Sequence, residues 1–119
     1  MNKKILIIED EKTSAKALEI KLQKAGYDTK TVFNGGEGLK ELENGGYDLV
    51  LLHILMPIVD GWSVLEKIKE KGIKVKVIIT TNLSQPEDKK RAMKMGASDF
   101  MVKSDSTLSS IVDRIQSIL

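Results

Sequence analysis

Four places in this chain hold residues that could carry chemistry. Glu9 and Asp10 are adjacent acids directly after the apolar run "ILII" (Ile5 to Ile8), with Glu11 next to them. His53, the only histidine, follows "LVLL" (Leu49 to Leu52). Thr80 and Thr81 follow "VKVII" (Val75 to Ile79), and Lys103 follows "SDFMV" (Ser98 to Val102). Taken singly, each is ordinary. Adjacent acids are most often solvated surface or a helix cap, most lysines lie on the surface, and a threonine here can be a plain β-branched strand residue. Gathered together, they would offer two or three carboxylates, an imidazole, a hydroxyl and an ammonium group at one point.

The elements between them say whether they meet. The three strong apolar runs are too short for helices and rich in branched residues, which predicts strands covered on both faces. "DTKTVF" and "SDFMV" add two weaker strands. Between the strands lie stretches with helical spacing, such as Ala15, Leu18, Leu22 and Ala25 ending at Gly26, and Leu108, Ile111, Val112, Ile115 and Ile118 at the end of the chain. Asn34 with Glu37, and Ser84 with Glu87, have the spacing of capping boxes, and Asp60 can cap the helix that carries Trp62 and Leu65. Five β and five α elements alternate. Alternation of this kind predicts an α/β fold, a doubly wound parallel sheet, because each parallel crossover must return over the sheet. Ligands of such sheets bind at the carboxyl ends of the strands, where all four places fall.

The chain of 119 residues predicts one domain over 1–119, with no separate output domain. Nineteen basic and seventeen acidic residues give a net charge of +2, too little to argue for nucleic acid or an anionic membrane. The absence of cysteine excludes disulfides, thiolate metal sites and cysteine nucleophiles. No segment has the length of a membrane span or a signal peptide, so the expectation is a cytoplasmic protein.

The acid pair Glu9 and Asp10, "MPIVDG" (Met56 to Gly61), Thr81, "GASDF" (Gly96 to Phe100) and Lys103 together resemble the receiver domain of the bacterial two-component response-regulator family, over essentially the full length. The resemblance implies a chemotaxis-regulator-like, flavodoxin-like (βα)5 fold with strand order 2-1-3-4-5. It implies a signalling module of a phosphorelay, not an enzyme, with a sensor histidine kinase or phosphotransfer protein upstream and a protein partner downstream. By the same resemblance Glu9 and Asp10 hold Mg²⁺, Thr81 and Lys103 bind the phosphoryl oxygens, and Phe100 is the aromatic that moves inward on activation. Where the family follows its lysine with a proline, this chain has Ser104, and Asn82 stands where a small residue is usual.

Aligned by "MPIVDG", the phosphoacceptor position is occupied by His53. The family chemistry needs a carboxylate there twice, as nucleophile and as a ligand of a hard cation, and an imidazole supplies neither. An aspartate with Glu9, Asp10 and Lys103 would carry two net negative charges for a divalent cation to neutralise; an imidazole lowers that number and does part of the cation's work. The expectation is therefore an atypical, phosphorylation-deficient receiver in which Mg²⁺ binds weakly. Lys89, Lys90, Arg91 and Lys94 form a basic cluster on the predicted fourth helix, either a solvated face or a docking surface for an acidic partner. No aromatic platform accompanies them, so nucleic-acid binding is not expected, nor is association beyond a monomer or weak dimer. The alternative is a flavodoxin-like small-ligand or transition-metal binding protein. "EDEKTS" after the first strand has no glycine-rich phosphate loop, which weighs against the ligand version. A histidine with two acids suits a transition metal better than Mg²⁺, although three such residues are few ligands for one ion.

Overall fold

The alternation of side chains along a strand sorts this core into two halves. The computed structural model describes residues 2–119. In β1 (Lys4–Ile8), Leu6 and Ile8 face one layer of helices while Ile5 and Ile7 face the other, and all four are fully buried. The remaining elements are α1 (Lys12–Lys24), β2 (Asp28–Val32), α2 (Gly35–Asn44), β3 (Leu49–His53), α3 (Gly61–Glu70), β4 (Lys76–Thr81), α4 (Pro86–Lys94), β5 (Asp99–Val102), a 3₁₀ turn (Lys103–Asp105) and α5 (Leu108–Ile118). The strands form one parallel sheet in the order β2-β1-β3-β4-β5, so the doubly wound α/β expectation and its strand order hold.

Leu42 of α2, Trp62 and Leu65 of α3 and Ala92 of α4 pack on the face that carries Leu6, Leu52 and Ile79. Leu18 and Leu22 of α1 and Ile111 and Ile115 of α5 pack on the face that carries Ile7, Leu51 and Ile78. Strands with both faces covered read as unbroken apolar runs, which is why "ILII" and "LVLL" show no alternation in sequence.

Helix ends follow local chemistry. Asp60 accepts from Ser63 N and caps α3. Asn34 accepts from Glu37 N at 2.8 Å, but no reciprocal bond from Glu37 closes a capping box. The expected Ser84–Glu87 box is corrected outright: α4 starts one residue later, with Gln85 at the cap, no side-chain cap bond, and Pro86 at the first helical position. Proline there supplies a preset φ and lacks an N–H that would be orphaned anyway. The full capping box lies elsewhere, between Thr107 and Ser110 of α5.

Candidate functional site

Strand order places a switch point between β1 and β3, since the chain leaves β1 to one side for β2 and returns to the other for β3. Glu9 and Asp10 follow the last residue of β1, and His53 is the last residue of β3. Glu9, Asp10 and His53 each offer one ligand atom within a cluster spanning no more than 4.8 Å.

Glu9 is buried to 2% exposure, and an isolated carboxylate there would be costly. Two groups compensate it: Lys103 Nζ donates to Glu9 Oε1 and Glu11 N donates to Oε2 at 3.2 Å. His53 Nδ1 lies 3.9 Å from Oε1, beyond hydrogen-bond reach. Lys103 reaches this point from the start of the 3₁₀ turn that directly follows β5. Asp10 is partly exposed, and its Oδ1 stands 3.9 Å from His53 Nε2.

His53 is held by backbone. β3 and β4 pair His53 with Thr80, and His53 Nδ1 lies 3.0 Å from the Thr80 carbonyl. A carbonyl oxygen can only accept, so Nδ1 carries the proton of this bond and Nε2 is the atom turned to Asp10. Gly61 braces the strand end from the other side. Its N–H donates to Ile54 O at 2.7 Å, and a Cβ at this position would stand 2.3 Å from His53 O.

The predicted residues do not all converge. Glu9, Asp10, His53 and Lys103 do. Glu11 does not: it caps α1, accepting from Thr13 N and Ser14 N, and the Ser14 hydroxyl bond heads the causes that hold its carboxyl below the usual range. Thr81 is fully buried and its hydroxyl accepts from Leu83 N at 3.2 Å, a local bond and not a link to the cluster. By strand alternation Thr81 shares the side of β4 that carries Val77 and Ile79, the face to which the buried Phe100 ring also belongs. Asn82 is exposed. Lys89, Lys90, Arg91 and Lys94 are exposed on α4, but Arg91 lies over the Trp62 ring at 4.1 Å, so one of the four cations is engaged within the fold. The contribution that sequence reasoning missed is the Thr80 carbonyl, a backbone group that no residue type announces.

The chain matches the family model of the response regulator receiver domain over residues 5–116. It is 39% identical over 100 residues to the transcriptional regulatory protein DltR of Streptococcus agalactiae, covering 84% of this chain and 45% of that protein. To the transcriptional regulatory protein PcoR of Escherichia coli it is 31% identical over 116 residues, covering 98% and 51%. The chain thus spans about half the length of these curated relatives. Among solved structures, the receiver domain of a Francisella response regulator superposes with a TM-score of 0.94 at 29% identity, covering 98% of this chain and 96% of the other. A CheY-like receiver domain protein of Methanospirillum hungatei gives 0.92 at 25%, covering 99% and 94%. Among the described residues no helix is long and apolar enough to cross a membrane. Receiver domains bind Mg²⁺ through acidic residues, and Glu9 and Asp10 supply such a pair, whereas the third member of this cluster is an imidazole. The strand order and the family match lead to one conclusion: this chain belongs to the response regulator receiver domains of two-component signalling.

Proposed function

We propose that residues 1–119 are a single receiver domain whose phosphoacceptor position is held by His53, and that it signals through protein contacts without forming an acyl phosphate. The observation that carries this reading is the place of His53, at the end of β3 beside Glu9 and Asp10, with Lys103 bound to Glu9. An imidazole nitrogen can accept a phosphoryl group, but the ring projects further than a carboxylate and would misplace the group relative to Thr81 and Lys103. Positioning dominates phosphoryl transfer, which weighs against that route. The donor set also fits Mg²⁺ poorly. This hard cation selects oxygen ligands in near-octahedral array, and here one donor of the three is nitrogen.

In this reading Thr81 and Phe100 are the switch pair, and the buried Phe100 supports a domain resting in one conformation. The partner face comprises α4, β5 and α5. Lys89, Lys90 and Lys94 present its charge, which suits an acidic protein surface, and Arg91 is held back on Trp62. Upstream partners are a sensor histidine kinase or a phosphotransfer protein, met in the cytoplasm. Nucleic-acid contact is not assigned to residues 1–119, although the relatives named above are transcriptional regulatory proteins.

Intact mass after incubation with acetyl phosphate and Mg²⁺, measured for the chain and for His53→Asp, tests the reading. It predicts one added phosphoryl group on the variant and none on the unaltered chain. Labelling of the unaltered chain would overturn it, and failure to label either protein would show that Glu9, Asp10, Thr81 and Lys103 are not a competent receiver site.

A further inference from the structure

The imidazole that removes an oxygen ligand from this cluster also adds a nitrogen ligand, and its orientation is that of a metal-binding histidine. Such histidines characteristically donate one ring N–H to a carbonyl or carboxylate and turn the other nitrogen to the ion. His53 does the first through Nδ1 and the Thr80 carbonyl at 3.0 Å. Its Nε2 makes no hydrogen bond among the described residues, its side chain is nine-tenths buried, and it faces Asp10 Oδ1 at 3.9 Å. That separation is too long for a hydrogen bond. It is close to the roughly 3.3 Å between two ligands that each stand about 2.0–2.1 Å from one tetrahedral ion.

We propose that Glu9, Asp10 and His53 form a site for a borderline first-row transition ion, with Zn²⁺ as the reference ion, in place of Mg²⁺. Two carboxylates and one imidazole leave the fourth position open to water, the arrangement of Zn²⁺ sites that are not purely structural. Nitrogen ligation shifts the preference from Mg²⁺ to the later divalent ions of the first transition row. Lys103 opposes the ion. Its ammonium is bound to Glu9 Oε1, so an ion entering the cluster meets a like charge and competes with Lys103 for the carboxylate.

The composition makes the test clean, because the chain has one histidine and no cysteine. An imidazole signal from a bound ion can therefore come only from His53, provided the protein carries no histidine tag. The untagged chain would be titrated calorimetrically with Zn²⁺ and with Mg²⁺ in separate runs, and Cu²⁺ would be added for electron paramagnetic resonance. The expected results are one Zn²⁺ per chain, bound at least a hundredfold more tightly than Mg²⁺, and coupling of Cu²⁺ to a single imidazole. His53→Gln, with folding checked by circular dichroism, should weaken Zn²⁺ at least tenfold, Lys103→Ala should strengthen it, and His53→Asp should raise Mg²⁺ affinity. Equal affinity for the two ions, or Zn²⁺ binding undiminished in folded His53→Gln, would overturn the proposal. Failure here is distinct from failure of the signalling reading: a chain that neither takes a phosphoryl group nor binds Zn²⁺ refutes only the ion site, and one that does both refutes only the other.

Discussion

Lys103 and Glu9 are 94 residues apart in sequence and form an ion pair at the carboxyl edge of the sheet, with the Glu9 side chain 2% exposed and that of Lys103 22% exposed. The pair ties the turn after β5 to the end of β1, across the switch point. Removing one partner of a buried pair leaves an uncompensated charge. Lys103→Met is accordingly expected to cost about 3 kcal/mol, the low end for a buried pair because the lysine keeps some solvent contact. Adding Glu9→Gln to it should recover most of that loss. Urea unfolding of both proteins measures this, and a cost below about 1 kcal/mol, the size of an exposed pair, would show that solvent already compensates Glu9.

Gly61→Ala is expected to disturb the site through the backbone. The added Cβ would stand 2.3 Å from His53 O and 2.7 Å from Ile54 Cα, and neither atom belongs to a side chain that can rotate away. Overpacking of this kind costs typically about 1–3 kcal/mol, and backbone obstacles put this case at the upper end. The end of β3 must move to relieve it, so the ring signals of His53 in NMR should shift along with the loss of stability. A stable variant with unmoved His53 signals would mean that α3 gives way instead.

Much of this was legible in the sequence because the signals were local. "ILII", "LVLL" and the helical spacing of Leu18 and Leu22 each depend on neighbours within one element, and the parallel sheet follows from their alternation. The convergence of Glu9, Asp10, His53 and Lys103 was also legible, since all four stand at strand ends and strand ends share an edge. What stayed hidden depends on backbone groups or on competition between neighbours. Nothing about Thr80 as a residue type says that its carbonyl will orient His53, and among three successive acids nothing singles out Glu11 as the one that caps α1 and leaves the cluster. Ser84 lost the cap of α4 because Pro86 fixes where that helix can begin. The stacking of Arg91 on Trp62 joins two helices, so no helical pattern within α4 separates it from Lys89, Lys90 and Lys94.

Ile58 is expected to be a site where stability can be gained. It has φ +67° and is fully exposed, and Val59 N donates to Pro57 O at 2.8 Å around it. These features describe a three-residue turn with its central residue at positive φ, a strained arrangement that is unfavourable for a β-branched side chain. The turn brings the chain back so that Val59 packs on the core, while Ile58 itself buries nothing. Positive φ costs an L-residue roughly 1–2 kcal/mol, and glycine returns about 0.5–1 kcal/mol of that through its freer unfolded chain. Ile58→Gly should therefore raise the melting temperature by a few degrees. A lowered melting temperature would show that the side chain makes stabilising contacts that its exposure conceals.

Tyr47 gives the pH dependence that can be stated with a sign. Its hydroxyl donates to Glu41 Oε1 at 2.6 Å, and its residue exposure is 8%. Burial first, and then the Glu41 carboxylate, push its ionisation well above the ordinary tyrosine range. A group whose folded pKa is raised adds stability that is fully present below its unfolded pKa, about 10, and is lost as pH climbs from there towards the folded value. Below pH 10 the chain should therefore exceed Tyr47→Phe in stability by about 1 kcal/mol, the net worth of the hydrogen bond. Above pH 10 the unfolded chain can release the phenolic proton while the folded chain cannot, so the advantage should narrow steadily with each further step in pH. Urea unfolding of the two proteins at intervals from pH 8 to pH 11.5 measures the gap. A gap that stays constant across that range would mean that Tyr47 ionises alike in both states, and the phenol would then have to reach solvent without unfolding.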